Sequence, residues 1–547
     1  MRRAHLLLPF LCLLGLASHA QAPLAQWHHL DPTADHVMGI STDRAYELLR
    51  TLPNKPAAKP IIVAVIDGGI DTAQVDLRHV LWHNPKEIPA NGRDDDHNGY
   101  ADDVYGWNFT GGADGRNVFR NQKEETRLYA RLRPQYEHQT LAIVPPGKKD
   151  EFRLYEQAKE AYTTKRAAAE ADYEDDAREL TKDLANVATL RRAYGVAVVD
   201  SGRLRQPPAD TALTRLAARY YQAVRGKFAN LDSLTNQYRS YNAKLKQVLD
   251  CEYNLAYNPQ PLVGDHPADL AERQYGNPNV KADPRDHGTE HGTHCAGIIA
   301  ADRANNLGVR GIAEQVRILS VRAIPMGDER DKDVANAIRY AVDNGASIIS
   351  MSFGKYFSPE KNVVDEAMRY ADKKGVLLVH AAGNDHLSVD STTQYPSPRF
   401  LNGQPIPNLI TVGASARTND EQLVAKFSNY GRAVDVFAPG VDVVSTYPND
   451  QYRPGSGTSM ATPVVAGVAA VLKVNFPQLT PADLKRIILA SAAPVHTQVR
   501  KPGTKQLVDF ATLSRTGGIV NLYEAVRLAS AVPVPAAPIS AQARRGK

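Results

Sequence analysis

The run Ile61-Ile62-Val63-Ala64-Val65-Ile66 narrows the choice of fold more than any other stretch of the chain. It is apolar and β-branched without a polar interruption, and too short to be a buried helix. It therefore reads as a strand covered on both faces, the kind found in parallel sheets flanked by helices. The run ends in Asp67-Gly68-Gly69, which delivers a carboxylate at the strand's C-terminal end. Later segments repeat the theme. Residues 316–321 and 346–351 read as strands with a helix over 333–344 between them, and a helix over 363–374 precedes a strand at 376–380. Further strands are expected at 408–414 and 433–437. Such alternation predicts an α/β fold with a doubly wound, mostly parallel sheet, whose sites lie at the C-terminal ends of the strands. Asp67, Ser352-Phe353-Gly354 and Asn384 each follow a predicted strand.

Two blocks of small residues complete the pattern. Gly457-Thr458-Ser459-Met460-Ala461-Thr462-Pro463 leads into the apolar helical run 464–474, so Ser459 stands where a helix begins. Pro463 is tolerated there because donors of the first turn have no intrahelical partner. Taken alone, the stretch could be an ordinary capped core helix. His291-Gly292-Thr293-His294-Cys295-Ala296-Gly297 opens another small-residue helix. The chain order is then Asp, His, Ser, one of the orders in which a catalytic triad occurs.

VIDGGID, HGTHCAG and GTSMATP resemble the three signature blocks of the subtilases, the subtilisin-like serine proteases. The resemblance covers residues 61–527 apart from one long insertion. It implies a subtilisin-like fold and peptide-bond hydrolysis, with Ser459 as nucleophile, His291 as base and Asp67 as its orienting carboxylate. Asp71 is a weaker candidate for that last role, and His294 is assigned to packing or hydrogen bonding. Asn384, in Ala381-Ala382-Gly383-Asn384, matches the family's oxyanion asparagine, assisted by the backbone N–H of Ser459. Ser352, Phe353 and Gly354 resemble the segment that pairs with an extended substrate. Ala381, Ala382 and Gly383 would line a roomy, fairly apolar pocket for the residue before the scissile bond.

The remaining stretches bear on organisation. Residues 1–20 carry Arg2 and Arg3, an apolar core and a Ser18-His19-Ala20 end, the pattern of a secretory signal peptide that is too short to span a bilayer comfortably. A secreted or periplasmic protein without a stable membrane anchor is expected. Residues 21–60 read as a short segment and linker, smaller than the inhibitory prodomain that many subtilases carry. A formal net charge of +5 over 547 residues gives no reason to expect nucleic acid. Cys251 and Cys295 remain after the signal and are not expected to pair. Residues 61–110 and 284–530 form the two parts of the expected catalytic domain, and 531–547 a disordered Ala/Pro-rich tail. Between the parts, 111–283 is a largely helical insertion, rich in Ala, Leu, Glu, Lys and Arg over 124–194 and 211–249. It reads either as a packed helical hairpin or as a module that gates substrates or holds a partner.

Two acidic stretches remain. In NGRDDDHNGYADDVY, Asp94, Asp96 and Asn98 alternate ahead of Gly99, with Asp102 and Asp103 following. An EF-hand would need an acid where Tyr105 stands, so the expected ligand is a structural calcium in some other loop, against the alternative of a solvated acidic turn. Residues 305–309 offer a second, open candidate. Asp328, Glu329, Asp331 and Asp333 lie in 321–338, which by resemblance edges the substrate cleft. Facing the cleft, they would favour Lys or Arg upstream of the cut. Otherwise they suit a helix N-terminus, with Asp333 as its cap. The reading as a whole is a secreted serine endopeptidase acting on proteins or peptides. The contrasting hypothesis is a binding protein built on an inactive protease scaffold.

Overall fold

The computed structural model describes residues 26–52, 59–281 and 288–533, so the signal-like segment and almost all of the C-terminal tail lie outside the described residues. The chain forms β1 (Ile61–Asp67), β2 (Gly106–Asn108), β3 (Val316–Arg322), β4 (Ala346–Met351), β5 (Leu377–Ala381), β6 (Leu409–Ser415) and β7 (Val436–Pro439). A hairpin of β8 (Val443–Tyr447) and β9 (Gln451–Gly455) follows. Then come β10 (Ala493–Pro494), β11 (Gln498–Arg500), β12 (Leu507–Asp509) and β13 (Gly518–Ile519). Nine of these make one sheet in the order β10-β13-β7-β6-β5-β4-β1-β3-β2, parallel throughout except for β10 against β13.

The apolar run of β1 is buried on both faces. Val63 and Val65 enter one hydrophobic core and Ala64 and Ile66 the other, the period of two that a pleated strand imposes. The helices are α1 (Thr42–Thr51), α2 (Glu124–Tyr136), α3 (Lys149–Tyr194), α4 (Ser201–Leu204), α5 (Thr211–Val224), α6 (Leu231–Gln247) and α7 (Gln260–Val263). They continue with α8 (Gly288–Ala300), α9 (Asp331–Asp343), α10 (Lys361–Lys373), α11 (Thr458–Asn475), α12 (Pro481–Ala490) and α13 (Leu522–Ser530). Helices α8, α11, α12 and α13 pack on the first face, α9 and α10 on the second, so the sheet is doubly wound. Helix α11 is apolar and long enough to cross a membrane, but it is 83% buried inside the fold and serves as the central core helix.

The segment before β1 is part of this body. Trp27 and Ile40 are fully buried, the N–H of Leu522 donates to Ile40 O at 2.8 Å, and Tyr46 Oη donates to Ile312 O at 3.0 Å. His28 and His29 are buried beside them, and burial holds His29 near 3, so it stays neutral.

Helices α2 to α6 form an arm with two cores of their own. Leu128, Tyr136, Phe152 and Tyr155 cluster at its base, and Val187, Leu190, Tyr220 and Leu231 at its far end. At 1.5 Å per residue, the 46-residue α3 is about 69 Å long, and α6 returns along it. The base rests on the segment ahead of α9. Lys123 Nζ lies 3.1 Å from Asp328, and Arg127 donates to the carbonyls of Asp328 and Glu329 at 2.9 Å. Lys355 lies 2.6 Å from Glu124 and 2.9 Å from Asp331, while Tyr275 Oη donates to Asp333 at 2.7 Å.

All four acids of 328–333 are therefore buried, and the carboxylates of Asp328, Asp331 and Asp333 are engaged while Glu329 Oε1 has no partner among the described residues, which speaks against the alternative of an acid-lined cleft edge. The reason is the arm, whose cations come from some 200 residues earlier in the chain. Nor is Asp333 the cap. Helix α9 begins at Asp331 with Arg330 in the N-cap position and no side-chain cap bond.

Candidate active site

The close approach of α8 to the end of β1 sets the first contact of the site. Gly292 makes it possible, because a Cβ there would fall 2.2 Å from Gly69 O and 3.2 Å from Asp67 Cβ. With the backbones this near, His291 Nδ1 lies 2.8 Å from Asp67 Oδ2 and 2.9 Å from Oδ1. Asp67 is buried, its side chain 5% exposed, and Oδ1 also accepts the Gly68 N–H at 2.7 Å. The His291 side chain is 39% exposed. Burial alone would lower its pKa, but the charge and hydrogen bond of Asp67 outweigh that and hold it above an ordinary imidazole. Asp71 is not on this histidine: it accepts from the N–H of Asn449 and pairs with Lys281 at 3.3 Å. His294 points the other way, its Nε2 2.9 Å from Arg453 O, and burial brings it down to about 4.

Ser459 is the second residue of α11, where backbone donors lack intrahelical partners. Two neighbours fix its backbone: Ser352 Oγ donates to Ser459 O at 2.9 Å, and Cys295 Sγ to the same oxygen at 3.4 Å. The Ser459 hydroxyl itself donates to Ser352 O at 3.2 Å. Cys295 and Cys251 are both free thiols.

Asn384 follows β5 and is fixed by a residue whose part was not foreseen. Its Oδ1 accepts from Thr458 N at 2.8 Å and from Thr458 Oγ1 at 3.0 Å. The carbonyl end is thus tied to α11, and the Nδ2 donor has no hydrogen-bond partner among the described residues. Thr458 lies inside the GTSMATP block, so its position was visible in the sequence, though its role was not. Gly383 takes a φ of +100°, and a Cβ there would meet Asn429 Nδ2 at 2.4 Å and Gln394 Oε1 at 2.5 Å.

Ser352, Phe353 and Gly354 leave β4 next to Ser459. Phe353 O accepts from His380 Nε2 at 2.8 Å, whereas the N–H and C=O of Gly354 have no hydrogen-bond partner among the described residues. A cavity of about 350 Å³ lies against Ala381 and Ala382. Thr393, Gln394, Asp390 and Arg432 also line it, so its wall is more polar than the expected apolar pocket. Gln394 Oε1 and Thr411 Oγ1 are buried there without partners among the described residues. Asp385 is held by Tyr356 Oη outside this lining.

In the acidic loop, Asp94, Asp96 and Glu87 bring one carboxylate oxygen each to within 4.8 Å of one another. Glu87 was not foreseen. It enters from a turn before the acidic run, with no motif to mark it, and also accepts the N–H of Asp95 and Asp102 at 2.9 Å. Asn98 and Gly99 donate their N–H to Asp94. Asp102 accepts from the N–H of Asn91 and Gly92 instead, and buried Asp103 from Tyr340 Oη at 2.7 Å, so both are engaged outside the triangle. Three acids with one distant cation, Lys86 at 3.8 Å from Asp96, suit a hard oxygen-seeking ion. In the second loop, Asn305 Nδ2 donates to buried Asp76 at 2.7 Å.

A doubly wound sheet carrying an Asp–His pair and a helix-borne serine at the C-terminal ends of its inner strands defines a class of hydrolase-like α/β sites. The chain belongs to the Subtilase family, whose model matches residues 58–517. It is 44% identical over 191 residues to the thermophilic serine proteinase of Bacillus sp. (strain AK1), covering 35% of this chain and 44% of that one. It is 43% identical over 187 residues to thermitase of Thermoactinomyces vulgaris (34% and 62% of the two chains) and 37% over 200 residues to subtilisin BL of Lederbergia lenta (36% and 68%). The chain thus spans about half the length of the first two relatives.

Proposed function

We propose that this chain is a secreted serine endopeptidase that hydrolyses peptide bonds with Ser459, His291 and Asp67. The observation that carries the reading is the His291–Asp67 contact at 2.8 Å beside a serine at the start of α11. Asp67 holds the imidazole with Nδ1 as donor, leaving Nε2 free to take a proton. In the reaction the Ser459 hydroxyl exchanges its bond to Ser352 O for one to His291. Its oxygen attacks the carbonyl carbon as the proton passes to Nε2, and the same proton then goes to the leaving amine. Water repeats the sequence on the acyl-enzyme. Asn384 Nδ2 and the Ser459 N–H stabilise the oxyanion. Their preorganisation is supported by the Thr458 tether, which costs no rearrangement during the reaction.

Protein or peptide substrates fit the unpaired backbone of Gly354, which supports docking of an extended chain along residues 352–354. Ala381, Ala382 and Gly383 with the adjoining 350 Å³ cavity are the proposed pocket for the residue before the cut. A structural calcium is assigned to Asp94, Asp96 and Glu87, with Asn98 in the same loop. When bound it would neutralise the three carboxylates and hold the acidic run against the turn that carries Glu87. Secretion is assigned from the pattern of residues 1–20.

The test is cleavage of an unbiased peptide library by the purified protein. Cuts at defined positions that vanish in Ser459→Ala support the reading. Persistence of the same cuts in that variant removes it.

A further inference from the structure

Gly354 and Gly383 belong to the two segments proposed to hold the substrate, and one side chain stands between them. A Cβ placed on Gly354 would fall 2.5 Å from Gln394 Nε2, and one placed on Gly383 would fall 2.5 Å from Gln394 Oε1 and 2.8 Å from Nε2. The flat amide of Gln394 is therefore in contact with both backbones and fills the slot between them. Its place is set by the next residue in the chain. Tyr395 and Lys355 exchange both backbone hydrogen bonds, at 2.8 and 3.1 Å, which brings Gln394 alongside Gly354.

The amide is not a brace for the fold. Its Oε1 is buried and accepts no hydrogen bond from the described residues, so packing alone holds that end. What the amide does is divide the pocket. The cavity of about 350 Å³ is lined by Gln394, Ala381 and Ala382 but by neither glycine, so it lies behind the amide as seen from Gly354 and Gly383. A side chain entering from a strand docked along 352–354 meets the amide before it meets the cavity. A short one ends in front of the amide. A long or aromatic one reaches the cavity only by displacing it, and a filled space resists an inserted group.

We propose that Gln394 sets the size of the residue accepted before the scissile bond, closing the slot between Gly354 and Gly383 so that small side chains such as Ala are preferred to aromatic ones. The proposal deepens the proteolytic reading and rests on it for the choice of the two walls. The sequence suggested a roomy pocket because residues 381–383 are small. They do leave space, but a side chain from further along the chain occupies its mouth. The effect is one of volume, not charge. The amide is neutral, and Asp390 in the cavity wall already accepts the N–H groups of Arg432 and Ala433 at 2.8 and 2.9 Å.

The experiment compares the unaltered full chain with Gln394→Ala and Gln394→Met, thermal midpoints showing that each is folded. Peptides identical except for Ala or Phe before the cut are ranked by kcat/KM. In parallel, product-like peptides ending in Ala or Phe are titrated by calorimetry into the same three proteins carrying Ser459→Ala, so that binding is read without cleavage. The unaltered chain is expected to favour Ala over Phe by roughly tenfold or more. Gln394→Ala abolishes or reverses that ratio by opening the cavity, whereas Gln394→Met, of similar length but without the amide, keeps it. Equal handling of Ala and Phe by the unaltered chain overturns the proposal, and so does an unchanged ratio in folded Gln394→Ala. A ratio lost in Gln394→Met also overturns it, since the amide would then act by hydrogen bonding and not by size. If nothing is cleaved but the Ala peptide binds better and Gln394→Ala removes the difference, the proteolytic reading fails and the role of Gln394 stands. If neither peptide is cut or bound, both fail.

Discussion

His291 is the residue whose titration reports most on the site. Burial pulls its pKa down and Asp67 pulls it up, and Asp67 prevails. A base must be neutral to act, so kcat/KM falls as pH drops, with the acid limb above the roughly 6.5 of an ordinary imidazole. Because the folded state holds this proton more tightly, the pair adds stability below pH ~6.5 and loses it as pH rises through the raised value. In Asp67→Asn the limb moves to lower pH and the rate falls by of order 10⁴. A pH–rate profile of both proteins checks this; an unmoved limb contradicts the Asp67 assignment. Asn384→Ala removes one oxyanion donor and lowers kcat by of order 10²–10³ with little change in KM. Steady-state kinetics separate the two constants, and a rise in KM alone contradicts the role.

At the scale of elements, the meeting of α8 with β1 depends on Gly292. The substitution Gly292→Ala places a methyl 2.2 Å from Gly69 O, so the helix must retreat and take His291 with it. A displacement of about 1 Å at a catalytic group can cost of order 10² in rate, so activity falls well before the fold is lost. Comparing the activity and thermal midpoint of this variant tests the point; wild-type values for both contradict it. The acidic loop is tested by chelation. If Asp94, Asp96 and Glu87 hold calcium, removing it lowers the midpoint, and Glu87→Gln shrinks the response by weakening the site. A midpoint indifferent to chelator and calcium contradicts the site. These elements differ in how far the sequence disclosed them. β1 was legible because its apolar run has one structural use, and α8 and α11 because their small residues mark close packing. Glu87 was not, since a lone acid in a proline-bounded turn has no pattern of its own.

Across the whole molecule, the arm and the sheet are joined by buried ion pairs, and here local sequence was least informative. Asp328 to Asp333 look like a solvated acidic run until Lys123, Arg127 and Tyr275 arrive from distant parts of the chain. Only the tertiary fold decides between a cleft edge and a buried junction. Lys355→Met leaves Glu124 and Asp331 buried without their cation and destabilises the fold by roughly 3–5 kcal/mol. Denaturant unfolding measures this, and an unchanged midpoint would mean that the junction carries no load. The central claim, that the assembled C-terminal end of the sheet is a working acyl-transfer site, is tested most directly at Ser459. Purified protein is treated with a fluorophosphonate and the modified residue is located by peptide mass analysis. The account predicts stoichiometric labelling of Ser459, lost in Ser459→Ala and suppressed as pH falls below the limb set by His291. An unlabelled Ser459 in folded, correctly processed protein would contradict it.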